Sequence, residues 1–307
     1  MLKFSLTLKL TNSIRHLTDV EVVRGMQVYD VLSSTKGQEF KAKHPEFEII
    51  AEPAYIGIRD LQSQLLHDTL VVARSNPFKS DEVNNVVVST LAQDNPLGNE
   101  NLINNHIAKY SEQNQVSLAE ASLKWFKEYL RVAVLPLIDG QANFGFLLGA
   151  HQQNLIVHIQ NHLPAKGYFR DCQGTGYNQS GYDFYRKEVP SMTVENGNIL
   201  GEMGNILFAY YLIINSTFNV IAAIAQNNQM TELRLLEELQ KTLVDFRNTR
   251  PLDSTFLNYV LEKQTLLQKG NFFCSLDNIN ENTSADPLSL YNSIPNPLYL
   301  GGTHVSV

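Results

Sequence analysis

Residues 2 to 10 alternate strictly, with Leu2, Phe4, Leu6, Leu8 and Leu10 on one side and Lys3, Ser5, Thr7 and Lys9 on the other. A period of two belongs to a strand, so the stretch predicts a half-buried strand whose polar face runs on into Thr11 and Arg15. Short apolar or β-branched runs at 47–58, 68–73 and 85–90, separated by Pro and Gly, predict further strands of an antiparallel sheet. Near residue 115 the pattern turns helical. Ser117-Leu118-Ala119-Glu120 is a capping box, in which hydroxyl and carboxylate satisfy each other's backbone amides, and it opens a helix through Trp125 and Leu130 toward Pro136. A second helix is expected over Phe144 to His151, then a strand at Leu155-Ile156-Val157, a turn at Pro164 to Gly167 and a strand ending at Asp171.

Residues 174 to 198, rich in Gly, Tyr, Asn and Ser, predict a long mobile loop. Leu207 to Ala225 is apolar enough to suggest a membrane span, but Asn215, Ser216, Thr217 and Asn219 interrupt it and predict a buried helix. Glu232 to Arg247 predicts an amphipathic helix with a solvated mixed-charge face, and 277–297 a loop-like, disordered segment. The chain therefore reads as α+β, with a β-rich part over 1–115 and a helix-rich part over 116–307.

Charge and cysteine usage narrow the classes. With 31 acidic against 24 basic side chains in 307 residues, the balance argues against a nucleic-acid partner held by phosphate contacts. Cys172 and Cys274 make no CxxC pair, so neither a zinc site nor a disulfide framework is expected. Residues 1 to 15 alternate where a signal peptide would be continuously apolar, which points to a cytoplasmic protein without a membrane partner.

The chemistry concentrates in His151-Gln152-Gln153-Asn154 and, one hairpin later, Arg170-Asp171. An amide and a carboxylate delivered to one point suit magnesium-bound ATP, whose metal needs hard oxygen ligands and whose phosphates need donors. Protein kinases use the same order, but Gln152 and Gln153 stand where their catalytic Asp would be. A nucleotide site without that base points to attack on the α-phosphate by a group that is already anionic, such as a carboxylate. Arg15 adds a fork that donates two parallel hydrogen bonds to phosphate and stays charged at any working pH. His158 and His162 have the spacing of a metal pair, but no third ligand accompanies them and they read as structural. Arg170 reads as pairing locally.

Three segments together resemble one family, the siderophore synthetases independent of nonribosomal peptide synthetases, known as IucA/IucC. Lys3-Phe4-Ser5 through Leu10-Thr11-Asn12-Ser13-Ile14-Arg15 is similar to its Lys-Leu-Ser and Ile-Thr-Ser-x-x-Arg segment. Phe144-Gly145-Phe146 through Ala150-His151-Gln152-Gln153-Asn154 is similar to its Gly-Ile-x-x-Glu-Ala-His-x-Gln-Asn segment, and Arg170-Asp171 to its Arg-Asp motif. The likeness runs to about Leu298 and places Gly149 where the family carries a carboxylate. It implies a protein roughly double this length, whose amino-terminal half, with a thumb and a Ser-x-Arg-Thr phosphate loop, lies before Met1.

The resemblance implies an adenylate-forming ligase, in which a carboxylate of citrate or a related acid attacks ATP and an amine or alcohol then displaces AMP. It further implies that Arg15 and His151 act on the α-phosphate charge, Lys3 and Thr11 hold phosphate oxygens, and Asn154 and Asp171 order nucleotide and magnesium, with Asp171 as metal ligand. The implied fold sets a fingers-like antiparallel sheet lobe against a helical palm, with the nucleotide cleft between them. The implied partners are small molecules together with the amino-terminal half or a second copy. The competing readings are a non-catalytic fragment or assembly subunit, a kinase-like phosphotransferase and a ferric siderophore reductase. The last would need a four-thiolate cluster that two cysteines cannot build.

Overall fold

The alternating stretch at the amino terminus folds as two strands, β1 (Leu2–Phe4) and β2 (Leu6–Leu10), parted at Ser5, whose hydroxyl donates to the His67 carbonyl and accepts from the Leu17 amide. A computed structural model of the chain describes residues 1–10, 13–78, 84–98, 100–194, 197–226, 228–270, 272, 276 and 287–301. β2 folds back on β3 (Ser13–Arg15), and a Thr18–Glu21 capping box then starts α1 (Asp19–Ser33). Ser34 ends α1 and caps α2 (Thr35–Lys43). The strands β4 (Phe47–Ile49), β5 (Ala54–Ile56), β6 (Val71–Ala73) and β7 (Asn85–Val87) follow. The run expected to be extended over 85–90 ends at Val87, where α3 (Val88–Ala92) begins.

After α4 (Leu102–Asn114), both bonds of the Ser117–Glu120 capping box are present at the start of α5 (Leu118–Tyr129). A π-helical turn at Leu130–Val134 leads without a break into α6 (Leu135–Phe144), which carries Pro136 directly after it. The helix expected over 144–151 does not form. Gly145 takes the left-handed conformation at φ 74 and stops α6, and a Cβ there would meet the Gly181 backbone at 2.3 Å. The chain continues as β8 (Phe146–Leu147), a turn carrying His151, and β9 (Leu155–Gln160).

The expected turn at 164–167 is also displaced. Asn161 and His162, at φ 50 and 65, make the reversal, while Pro164 and Gly167 lie inside β10 (Leu163–Phe169). Pro164 is accommodated by a register irregularity, and Gly167 by close approach to the Val132 carbonyl, which a Cβ would meet at 2.1 Å. Much of the expected loop at 174–198 is ordered structure, with β11 (Gly176–Tyr177) paired to β8 and α7 (Gln179–Tyr185) capped by Asn178. Asn178 also donates to the Gln141 carbonyl at 3.1 Å and to Asp253 at 2.8 Å, and the Tyr185 hydroxyl donates to the Phe144 carbonyl at 2.7 Å. Those tertiary bonds override the loop-like composition.

α8 (Glu202–Phe208), a π-helical stretch at Ala209–Phe218 and α9 (Asn219–Ala225) form one continuous helix. Its length and apolarity would allow it to cross a membrane, yet much of it is packed inside the protein. Its polar interruptions are satisfied there, since buried Ser216 donates to the Ala150 carbonyl at 2.6 Å and buried Thr217 to the Leu212 carbonyl at 2.7 Å. α10 (Gln229–Asn248) buries Leu235, Leu239 and Leu243 on one stripe, as its pattern predicts. α11 (Thr255–Glu262) is followed by the antiparallel pair β12 (Thr265–Lys269) and β13 (Tyr291–Pro295). β13 falls within the segment expected to be disordered, whose residues 277–286 lie outside the described ones.

Helices and strands are thus mixed as an α+β fold requires. One antiparallel sheet has the order β1-β6-β5; a second has the order β4-β10-β9-β7, in which only β4 and β10 run parallel. The main core gathers Phe40, Trp125, Phe126, Tyr129, Phe169, Phe208 and Phe256 around this second sheet and the helices.

Candidate functional site

Strand ends from both sheets meet at one point. Arg74 immediately follows β6, and its amide donates to the Met1 carbonyl at 2.8 Å. The Ile50 amide, just beyond β4, donates to the Phe169 carbonyl at 2.8 Å, which brings Glu52 and Asp171 onto neighbouring strand exits. Lys3 reaches across from β1, its ammonium donating to Asp171 Oδ1 and Gln173 Oε1. The Arg74 guanidinium divides between two carboxylates, giving Nε to Glu52 Oε1 at 2.7 Å and Nη2 to Asp171 Oδ1 at 2.8 Å. Asp171 itself sits at φ 77, a left-handed conformation that Asp tolerates better than most side chains.

The two carboxyls titrate in opposite directions. Burial pushes Asp171 up, but Lys3, Arg74 and His151 together outweigh it and hold the group below the usual carboxylate range. Glu52 is fully buried, and there burial prevails over Arg74 and Lys3, raising it above its usual value. Its Oε2 has no hydrogen-bond partner among the described residues and faces Gly25 of α1, where a Cβ would stand 2.4 Å away.

The second half of the site is the turn between β8 and β9. The Asn154 amide donates to the His151 carbonyl at 2.8 Å, and its side chain lies 3.2 Å from His151 Nε2 and 3.3 Å from the Gly149 carbonyl. The Arg170 amide donates to the Asn154 carbonyl at 3.0 Å, tying this turn to the residue before Asp171. The Arg170 side chain donates to the Gln153 carbonyl at 2.9 and 3.2 Å, so its local partner is backbone and not a carboxylate. The π-helical stretch buttresses the turn from behind, with Tyr211 against the His151 ring at 5.7 Å between centroids and Asn215 Oδ1 accepting from the Gln152 amide at 3.1 Å. Asn219 donates to Gln152 Oε1 at 2.5 Å. Burial lowers the His151 pKa below its usual 6.5, Asp171 pulls it back up and Arg170 pushes it further down. The imidazole is therefore neutral at neutral pH.

Of the residues expected in the site, Lys3 and Asp171 are in direct contact, His151 and Asn154 are in direct contact, and Asp171 and His151 influence each other's charge. The Arg15 backbone is placed opposite Leu6 in the β2–β3 pair, while its side chain and Thr11 lie outside the described residues. His158 is engaged with Asn85 at 3.0 Å and His162 with His106 at 3.2 Å, apart from this cluster. Glu52, Arg74 and Gln173 belong to the site and were not anticipated. Glu52 and Arg74 share one sequence signal, a charged residue directly ending an apolar run, as in Val71-Val72-Ala73-Arg74 and Ile49-Ile50-Ala51-Glu52; Gln173 carries none.

Three cations, Lys3, Arg74 and Arg170, thus surround one partly exposed carboxylate beside a neutral imidazole and a carboxamide. Such a set can hold a polyanion through charge-assisted hydrogen bonds. Among the described residues no group of three or more His, Cys, Asp or Glu forms a metal cage. A single carboxylate still fits magnesium, which takes one or two protein carboxylates and completes its shell with substrate phosphates and water.

Residues 1–93 match the IucA / IucC family, and residues 123–284 match the family described as Ferric iron reductase FhuF-like transporter. The N(2)-citryl-N(6)-acetyl-N(6)-hydroxylysine synthases of Vibrio mimicus and Escherichia coli are 40% and 33% identical over 97% of this chain, which covers 50% and 52% of their lengths. The structure of ATP-bound aerobactin synthetase IucA from a hypervirulent pathotype of Klebsiella pneumoniae superposes with a TM-score of 0.88 at 30% identity, covering 97% of this chain and 52% of that one. The chain spans about half the length of the curated relatives it matches. With two family matches that divide the chain between them and a solved relative that follows its fold nearly end to end, the chain belongs to the IucA/IucC family of siderophore synthetases, its helix-rich part being the FhuF-like region.

Proposed function

We propose that this chain supplies the carboxyl-terminal part of the nucleotide site of a siderophore synthetase, a ligase that adenylates citrate or a related acid with ATP and condenses it with an amine or alcohol. The carrying observation is the convergence of Lys3 and Arg74 on Asp171, one backbone hydrogen bond away from the His151–Asn154 turn, in a chain that follows the fold of an ATP-bound relative. In this reading the β-rich part acts as fingers and the helix-rich part as palm, with the triphosphate in the cleft between them. Lys3, Arg74 and Thr11 hold phosphate oxygens, and Asn154 orients the nucleotide. Arg15 and His151 stabilise charge at the α-phosphate, where positioned donors do most of the catalytic work.

Asp171 would hold magnesium. Its Oδ1 is taken by Lys3 and Arg74, and its lowered pKa keeps it anionic at neutral pH. The metal, when bound, neutralises phosphate charge. Glu52 does not fit as a second ligand, because its unpartnered oxygen faces α1 and its carboxyl is raised by burial.

The test is citrate-dependent ATP/pyrophosphate exchange. The isolated chain should bind magnesium-ATP weakly and exchange nothing, whereas joined to the half that its relatives carry in addition it should exchange. Failure of the joined protein to exchange with any citrate-like acid would end the ligase reading. The match to a ferric reductase family does not redirect it, since a chain with two cysteines cannot ligate an iron-sulfur cluster through four thiolates and Cys172 is buried.

A further inference from the structure

Asp139 is a charged group that the nucleotide site does not use. It lies on α6 and is fully buried, yet both its oxygens are engaged. Oδ1 accepts from Asn143 at 2.6 Å and Lys43 at 3.0 Å, and Oδ2 from Lys43 at 2.8 Å and His44 Nε2 at 2.6 Å. Burial pushes the carboxyl up, but these three donors outweigh it and hold the group below its usual range. A carboxylate fixes a proton on the imidazole nitrogen that faces it, so the neutral His44 ring presents a lone pair at Nδ1. Phe40 packs against the ring at 4.9 Å between centroids, and Nδ1 has no partner among the described residues.

His44 borders a cavity of about 370 Å³ between α1, α2 and β4. Its walls include Leu32, Phe40, Phe47 and Ile49, with Phe40 meeting Phe47 edge to face at 89°. Lys41, one turn before His44, lines the same cavity without a partner among the described residues, while Glu48 is held by Lys166 at 2.8 Å. Ring-lined walls, one oriented acceptor and one open cation therefore surround a single space.

We infer that this cavity binds a small aromatic acid carrying a ring hydroxyl, with the ring against Phe40 and Phe47, the hydroxyl donating to His44 Nδ1 and the carboxylate facing Lys41. A few hundred cubic ångströms with mostly apolar walls and a few placed polar groups is the form of a small-molecule site. Aromatic walls reward a ring through edge-to-face contact. A ligand without the hydroxyl leaves the oriented nitrogen unpaired, and that loss is what makes the site selective. None of these groups is shared with the Lys3–Arg74–Asp171 cluster, and the inference does not rest on the ligase reading.

The experiment is a titration of the methyl-labelled chain with 4-hydroxybenzoate, followed by NMR. The Leu32 and Ile49 methyls should shift, with a dissociation constant below about 1 mM. Benzoate, which lacks the donor, should bind about tenfold more weakly. His44→Gln, whose amide can still donate to Asp139, should weaken 4-hydroxybenzoate by about tenfold and leave benzoate unchanged, a split that a general loss of structure would not give. Lys41→Gln, at an exposed position, should weaken both acids alike. Absence of shifts at Leu32 and Ile49, equal affinity for the two acids, or equal loss of both in a folded His44→Gln overturns the assignment. Should His44→Gln fail to fold, the ligand pair and Lys41→Gln decide it by the same criteria: equal affinity for the two acids, or unchanged binding in Lys41→Gln, overturns it.

Discussion

Lys3 and Asp171 are joined as an ion pair across 168 residues of chain, and the same carboxylate oxygen also accepts from Arg74. A carboxylate so surrounded is anionic throughout the neutral range, and one of its oxygens is committed before any ligand arrives. Its remaining capacity is what a magnesium ion would use.

The first prediction follows from that division. Asp171→Asn keeps the shape of the side chain but removes its charge, so ATP binding should require more magnesium, by a factor on the order of ten or above. A titration of magnesium at fixed labelled ATP measures it. Identical magnesium dependence in wild type and Asp171→Asn would remove Asp171 from the metal's surroundings.

Arg74→Met should be costly to the fold. It leaves the fully buried Glu52 carboxylate without its cation, and breaking a buried pair from one side costs about 3–5 kcal/mol. The sign with pH is fixed: without Arg74 the folded-state pKa of Glu52 lies still further above its unfolded value. The neutral form then recovers stability as pH falls through the folded pKa toward 4.5, fully so below it. Urea unfolding at neutral and mildly acidic pH checks both parts, and a loss that grows on acidification contradicts the role given to Glu52.

His151 is held neutral by burial, and an anionic phosphate beside it reverses that balance. Binding of ATP should therefore take up a fraction of a proton between about pH 6 and 7, growing as pH falls toward the ordinary histidine range. Calorimetry in two buffers of different ionisation enthalpy reads the proton count directly. The uptake should vanish in His151→Gln, and its persistence there would assign the proton elsewhere.

In the joined, full-length protein, Arg15→Ala and His151→Ala should each lower adenylation by about 100-fold to 1000-fold, the cost of one preorganised contact to developing charge. Circular dichroism should stay unchanged. Wild-type exchange kinetics in both variants would limit the family likeness at these two positions to ancestry.

Gly149 offers a gain-of-function test. A Cβ at this position meets nothing within 4 Å, so Gly149→Glu should fold with a stability change under about 0.5 kcal/mol. If a carboxylate there assists the metal, magnesium affinity for the ATP complex should rise. An unchanged affinity would show that the glycine is not a lost ligand position.

The legible part of the site was the local part. His151, Asn154 and Asp171 fall within 21 residues and on one hairpin, so their order alone indicates that they meet. Glu52 reaches Asp171 only through the β4–β10 pairing, and Arg74 through the bond from the Ser75 amide to the Ala51 carbonyl at 2.9 Å, and no local pattern in the chain specifies these pairings. The helix expected over 144–151 failed for a different reason. Phe146-Leu147-Leu148 is a short apolar run that suits helix or strand equally, and Gly145 was the signal that decided it. Likewise the period-two pattern of residues 2 to 10 identified strands but could not say toward which neighbour the apolar side would turn.

The π-helical stretch from Ala209 to Phe218 places Tyr211 behind His151 and Asn215 behind Gln152. A widened turn of this kind amounts to a residue inserted into an ordinary α-helix. Deleting one residue between 209 and 218 would let the helix relax to α geometry, with its hydrophobic character nearly unchanged and its flanking turns in place, while shifting the residues of the stretch itself against the turn they support. Tyr211, Asn215 and Ser216 would then lose their present alignment with His151, Gln152 and the Ala150 carbonyl. Length in this helix is therefore under tighter constraint than composition: a relative can exchange many of its apolar side chains, but a chain shortened here by a single residue has given up the support of the His151 turn.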